Sequence, residues 1–169
     1  MEYMQEGNFE LSTNQKRLWF LGTENFKQLY TQISIKFSGQ IQIQKLVSVL
    51  NDITNSHETL SSKLVLDESS VFPLQTPFHY KNPTIEILPI TSFHDWVTHK
   101  VNETSDFKLD ALIPIQFFIF SDSQNNVARL VFKVYTVWTD LFGAYKILDN
   151  INSLLAGIQI PSPGDEGFI

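Results

Sequence analysis

The chain has 169 residues, 43% of them hydrophobic and 18% charged, with a net charge of −6 and a pI of about 5.1. That balance fits a single globular domain with volume for a real core, and it excludes nucleic acid as the main partner, because phosphate binding needs a basic face. The absence of Cys excludes disulfides, thiolate metal sites and Cys nucleophiles and fits a reducing cytoplasm, while no apolar run approaches about 18 residues, so no membrane span is read.

Residues 1–10 are polar and acidic, unlike a secretory signal, and are expected to form a flexible leader. Ser12 with Gln15 three positions on has capping-box spacing. It opens a helix whose apolar content is Leu18, Trp19 and Leu21, and Gly22 is expected to close it. Leu29 to Phe37 alternates, with Ile33, Ile35 and Phe37 on one face, and Gly39 ends that strand. Ile43, Leu46, Val47, Leu50 and Ile53 recur at helical spacing, predicting a second helix to about Asn55. Glu58 to Leu66 and Ser70 to Thr76 are weaker strands, read as a hairpin around Asp67-Glu68. Pro73, Pro77 and Pro83 make this region irregular.

Thr84 to Ile90 reads as a strand, and Ser92 as the cap of a third helix from Phe93 to about Thr104. After a loop at Asp106 to Leu112, Ile113 to Phe120 forms a strand, and Ser121 to Asn126 a hairpin loop. Val127 to Val137 then alternates. Ala128, Leu130, Phe132, Val134 and Thr136 make a dry face, and Val127, Arg129, Val131, Lys133 and Tyr135 a mixed one. Thr139-Asp140 supplies a side-chain oxygen where the next helix begins. Leu141, Tyr145, Leu148, Ile151 and Leu155 mark that helix's inner face. Residues 158–169, rich in Pro and Gly, read as a tail or linker. Fourteen Phe and five Tyr favour strands and an aromatic core. The expected class is α/β in the α+β sense: a two-layer sandwich whose mixed, largely antiparallel sheet has its helices packed on one side.

Several stretches resemble the condensation domains of nonribosomal peptide synthetases. Leu11-Ser12-Thr13-Asn14-Gln15-Lys16-Arg17-Leu18-Trp19-Phe20-Leu21 is similar to the family's opening L-S-x-x-Q-x-x-L-W-F-L. Phe37-Ser38-Gly39 and the later Asn55-Ser56-His57-Glu58-Thr59-Leu60 resemble its L-x-G and R-H-E-x-L-R-T segments. Phe107-Lys108-Leu109 stands at the place of P-F-D-L, and Tyr135 to Leu141 at that of H-H-x-x-x-D-G. The resemblance spans Leu11 to about Gly157. It implies a chloramphenicol acetyltransferase-like fold and a condensation-like N-terminal lobe over 11–157, where complete members have two lobes with a tunnel between them. In the family, the second motif His handles or positions the attacking amine as an acyl group passes between carrier-protein thioesters. The motif Asp is mainly structural, pairing with an Arg.

This sequence departs from that pattern where the chemistry sits. Tyr135 and Thr136 hold the two His positions. Asp140 is kept, Leu141 follows it in place of Gly, and Ser56 and Ser61 hold the Arg positions. A hydroxyl does not ionise near neutrality, so Thr136 cannot act as a general base. Tyr135 also removes the first Asp of the cyclising relatives' D-x-x-x-x-D. No catalytic set is therefore intact at the degenerate positions Tyr135, Thr136 and Asp140. Asp140 reads as a helix N-cap, Tyr135 and Trp138 as packing residues, Thr136 as a backbone-bonded residue of the dry face, and His57 as a non-catalytic residue near a helix end. His94 and His99, five apart, do not share a helical face as a metal pair would, and His79 has no visible partner. No Gly-rich phosphate loop or Gly-x-Ser-x-Gly elbow is present.

The expected function is an inactive condensation-like lobe in nonribosomal peptide or hybrid polyketide biosynthesis. It would bind or scaffold a carrier protein or a neighbouring synthetase module in the cytoplasm. It would have no cofactor of its own, and any phosphopantetheine would arrive on the carrier. A second condensation-like lobe, or a homodimer, is a further expected partner; nucleic acid and membrane are not. The alternatives are an enzyme half that becomes active when paired with a second lobe, and a fragment of a larger synthetase.

Overall fold

The computed structural model describes residues 8–25, 30–57, 59–66, 70–77, 84–100 and 114–158. Their order is β1 (Phe9–Glu10), α1 (Thr13–Asn25), β2 (Tyr30–Lys36), α2 (Ile43–Ser56), β3 (Ser62–Val65), β4 (Leu74–Pro77), β5 (Thr84–Pro89), α3 (Phe93–Lys100), β6 (Ile115–Ser121), β7 (Val127–Tyr135) and α4 (Leu141–Leu155). The expected Asp67-Glu68 turn, the Phe107 segment, His79, most of the leader and nearly all of the tail lie outside the described residues.

β6 and β7 form the antiparallel centre of a four-stranded sheet ordered β2-β7-β6-β5. β2 is antiparallel to β7, and β5 runs parallel to β6, so the sheet is mixed. The hairpin between β6 and β7 follows from its loop chemistry. Asp122 Oδ1 accepts from the backbone N–H groups of Gln124 (2.8 Å) and Asn126 (2.9 Å). Asn125 takes the left-handed conformation, at φ 61°, that Asn tolerates better than most residues. These bonds, chiefly that from the Asn126 backbone, hold the Asp122 carboxyl below its ordinary range. A smaller antiparallel sheet, β1-β4-β3, contains the expected hairpin partners. Phe9 and Glu10, expected within the leader, instead form its edge: they pair with Gln75 and Leu74.

The main core lies between one face of the large sheet and two helices. Leu46, Leu50 and Ile53 of α2 and Ala144, Ile147 and Ile151 of α4 pack on Ile115, Phe117, Ile119, Leu130, Phe132 and Val134. Burying each such Leu, Ile or Phe side chain contributes roughly 1.5–3 kcal/mol. Val127 joins this core, although alternation assigns it to the opposite face. The reason is a bulge: Phe120 pairs with Arg129 and Ser121 with Val127, leaving Ala128 unmatched by β6. The Ala128 carbonyl accepts instead from Phe37 N–H at 3.1 Å.

The helices do not all pack on one side. Trp96 and Phe93 of α3 stack on Phe118 and Phe120, the alternate residues of β6, on the sheet's other face. The α+β class stands, with α2 and α4 below the sheet and α3 above it.

Four local expectations are corrected. α1 runs through Gly22 to Asn25, and Leu21 is exposed, since Trp19 and Leu18 supply the helix's inner contacts. Ser92 does not cap α3: it sits in a 3₁₀ turn, Ile90–Ser92, and its hydroxyl donates to the Pro89 carbonyl at 2.7 Å. β7 ends at Tyr135 rather than Val137. The inner face of α4 begins at Ala144 and Ile147, while Leu141 and Tyr145 are 49% and 52% exposed. Both stripes have helical spacing and share Leu148, Ile151 and Leu155, and Ala144 is fully buried in the core.

Candidate functional site

The connection from β7 to α4, residues 135–140, holds Tyr135, Thr136 and Asp140, the site positions expected from the sequence. Trp138 N–H and Thr139 N–H both donate to the Tyr135 carbonyl, at 2.9 and 3.2 Å, folding the chain tightly as the strand ends. The turn removes Thr136 from the strand, so it does not lie on the dry face but sits half-buried in the turn.

Three neighbouring elements clamp this turn. Gln15 of α1 has two roles: its Oε1 accepts from Ser12 N–H (2.9 Å) in the expected capping box, and its Nε2 donates to the Val137 carbonyl (2.9 Å). From the small sheet, Ser62 Oγ accepts from Trp138 Nε1 (3.1 Å) and Gln75 Nε2 (2.8 Å) while donating to the Thr59 carbonyl (2.8 Å). From β2, the Tyr30 ring meets Tyr135 edge-on at 6.4 Å, and the Trp138 ring lies at the same distance from Tyr135. With Leu11, Trp19 and Leu64 these residues form a second apolar cluster in which Tyr135, Val137 and Trp138 are buried. Tyr135 and Trp138 are thus packing residues, as expected.

Asp140 caps α4, also as expected: its Oδ1 accepts from Gly143 N–H at 2.9 Å, and its carbonyl accepts from Ala144 N–H at 3.0 Å. A Cβ at position 143 would overlap Thr139 Oγ1, so a larger residue there would push that hydroxyl aside. This glycine lies two residues beyond Leu141. Ser56 Oγ donates to the Ile53 carbonyl and Ser61 Oγ to the His57 carbonyl, each at 3.1 Å. His57 follows the last turn of α2, and one ring nitrogen lies 3.0 Å from Asn150 Nδ2, tying α2 to α4.

Burial, and secondarily the adjacent Tyr30, push the Tyr135 phenol above the ordinary tyrosine range. It stays protonated at neutral pH and cannot accept a proton from an amine. His94 is exposed on α3, the His99 side chain lies outside the described residues, and no group of three or more His, Asp or Glu among the described residues could hold a metal ion.

Sequence reasoning missed three contributors: Gln15's second bond, the Ser62 hydroxyl, and Lys133. The Lys133 side chain is buried, with Nζ 5.0 Å from the Tyr30 ring centroid, 5.6 Å from Trp96 and 5.7 Å from Phe118. Its only signal in the sequence is its place on the mixed face of β7, two residues before Tyr135.

The fold is similar to that of part of the condensation domains of nonribosomal peptide synthetases. The particular likenesses are to the starter condensation domain of the rhizomide synthetase (TM-score 0.75, 13% identity, 96% of this chain and 41% of that one), the first condensation domain of the CDA synthetase (0.74, 13%, 94% and 41%) and the X-domain from teicoplanin biosynthesis (0.71, 16%, 96% and 36%). The chain spans about two fifths of the length of these structures. No protein-family model and no curated protein sequence matches it.

Proposed function

We propose that the chain is a condensation-like lobe that serves nonribosomal peptide assembly as a binding or scaffolding module. In this reading it holds a carrier protein or a neighbouring synthetase module in the cytoplasm and performs no acyl transfer by itself. The observation that carries the proposal is the turn at 135–140. A buried, neutral phenol and a hydroxyl stand where the resemblance places two imidazoles, and packing and hydrogen bonds clamp the whole turn. Losing a general base costs about 10² to 10⁴ in rate. The likeness to domains of two synthetases and of teicoplanin biosynthesis supports the assembly-line setting. Exposed Leu141, Phe142 and Tyr145 beside the turn support association, since apolar side chains gathered on a surface commonly mark interfaces.

Calorimetric titration of the chain with acyl- and holo-carrier proteins encoded beside it is expected to give saturable binding; no binding to any of them would overturn the module reading. A condensation assay with loaded carriers is expected to show no turnover by the chain alone, and Thr136→His is expected to leave that result unchanged. Turnover that disappears in a folded Tyr135→Phe or Asp140→Ala variant would overturn the claim of inactivity.

A further inference from the structure

We draw no further inference here: the strongest candidate, the exposed patch of Leu141, Phe142 and Tyr145 on the first turns of α4, carries nothing beyond the association already proposed, because nothing in the structure shows what covers it.

Discussion

The two faces of the central hairpin bury their residues by different chemistry. Toward α2 and α4, Phe117, Ile119, Leu130 and Phe132 join a core of aliphatic and aromatic side chains. Toward α3, Phe118, Phe120 and Val131 share their face with two cations: Lys133 among three rings, and Arg129 with its guanidinium carbon 4.5 Å from the Phe93 ring centroid. The first face draws its stability from area removed from water. The second adds attraction between cations and ring faces, and long side chains cover apolar surface with their stems. A polar residue in an alternating strand therefore does not by itself mark a solvent-facing side. Lys133 is 9% exposed, about the same as Leu64 and Ile43.

Substitutions on the two faces test this difference directly. Phe132→Ala, on the dry face, is expected to cost about 3–5 kcal/mol in urea unfolding, the usual range for emptying a fully buried aromatic site. Lys133→Met, on the other face, is expected to change stability by no more than about 2 kcal/mol. It loses the cation–ring attraction but relieves the cost of burying a charge. A loss from Lys133→Met equal to that from Phe132→Ala would show that the two faces are energetically alike.

In the first turn of α4, on the side of the first face, Gly143→Ala is expected to cost about 1 kcal/mol, because the Thr139 hydroxyl must turn away from the added Cβ. Thr139→Ala should restore most of that loss; no restoration would mean that the close approach is not the cause. Asp140→Ala is expected to cost about 1 kcal/mol through the lost cap.

A further effect concerns pH. Because the Tyr135 phenol is raised in the folded state, folding favours its neutral form. That stability is whole below the unfolded tyrosine pKa of about 10 and declines as pH rises from there toward the folded value, by up to about 1.4 kcal/mol per unit. Unfolding midpoints measured from pH 8 to 11 should fall less steeply in Tyr135→Phe than in the parent chain. Parallel curves would show that the phenol is not buried in solution.

Local signals were legible where a feature is made by neighbours in sequence. The capping box at Ser12 and Gln15, the Asp140 cap, the stripe of α2 and the loop between β6 and β7 depend on atoms a few residues apart, so their spacing carries them. The candidate turn was legible for the same reason, since an alternating strand followed by a capping oxygen and a helical stripe places it. Its clamps were not. Gln15 reaches Val137 across 122 positions and Trp138 reaches Ser62 across 76, and no periodicity records such bonds. The bulge at Ala128 was hidden likewise, because it depends on which β6 residue opposes each residue of β7.

The sequence alone determined the kinds and order of the main elements, and that Tyr135, Thr136 and Asp140 stand together after the central strand, because helical and strand periods and residue identities are properties of the chain itself. Tertiary structure decided that α3 covers the sheet face opposite α2 and α4, that α4 turns Ala144 rather than Leu141 and Tyr145 inward, and that Lys133 lies buried among rings. Several stripes and both faces of a strand satisfy the same period, and only close packing against distant segments selects among them.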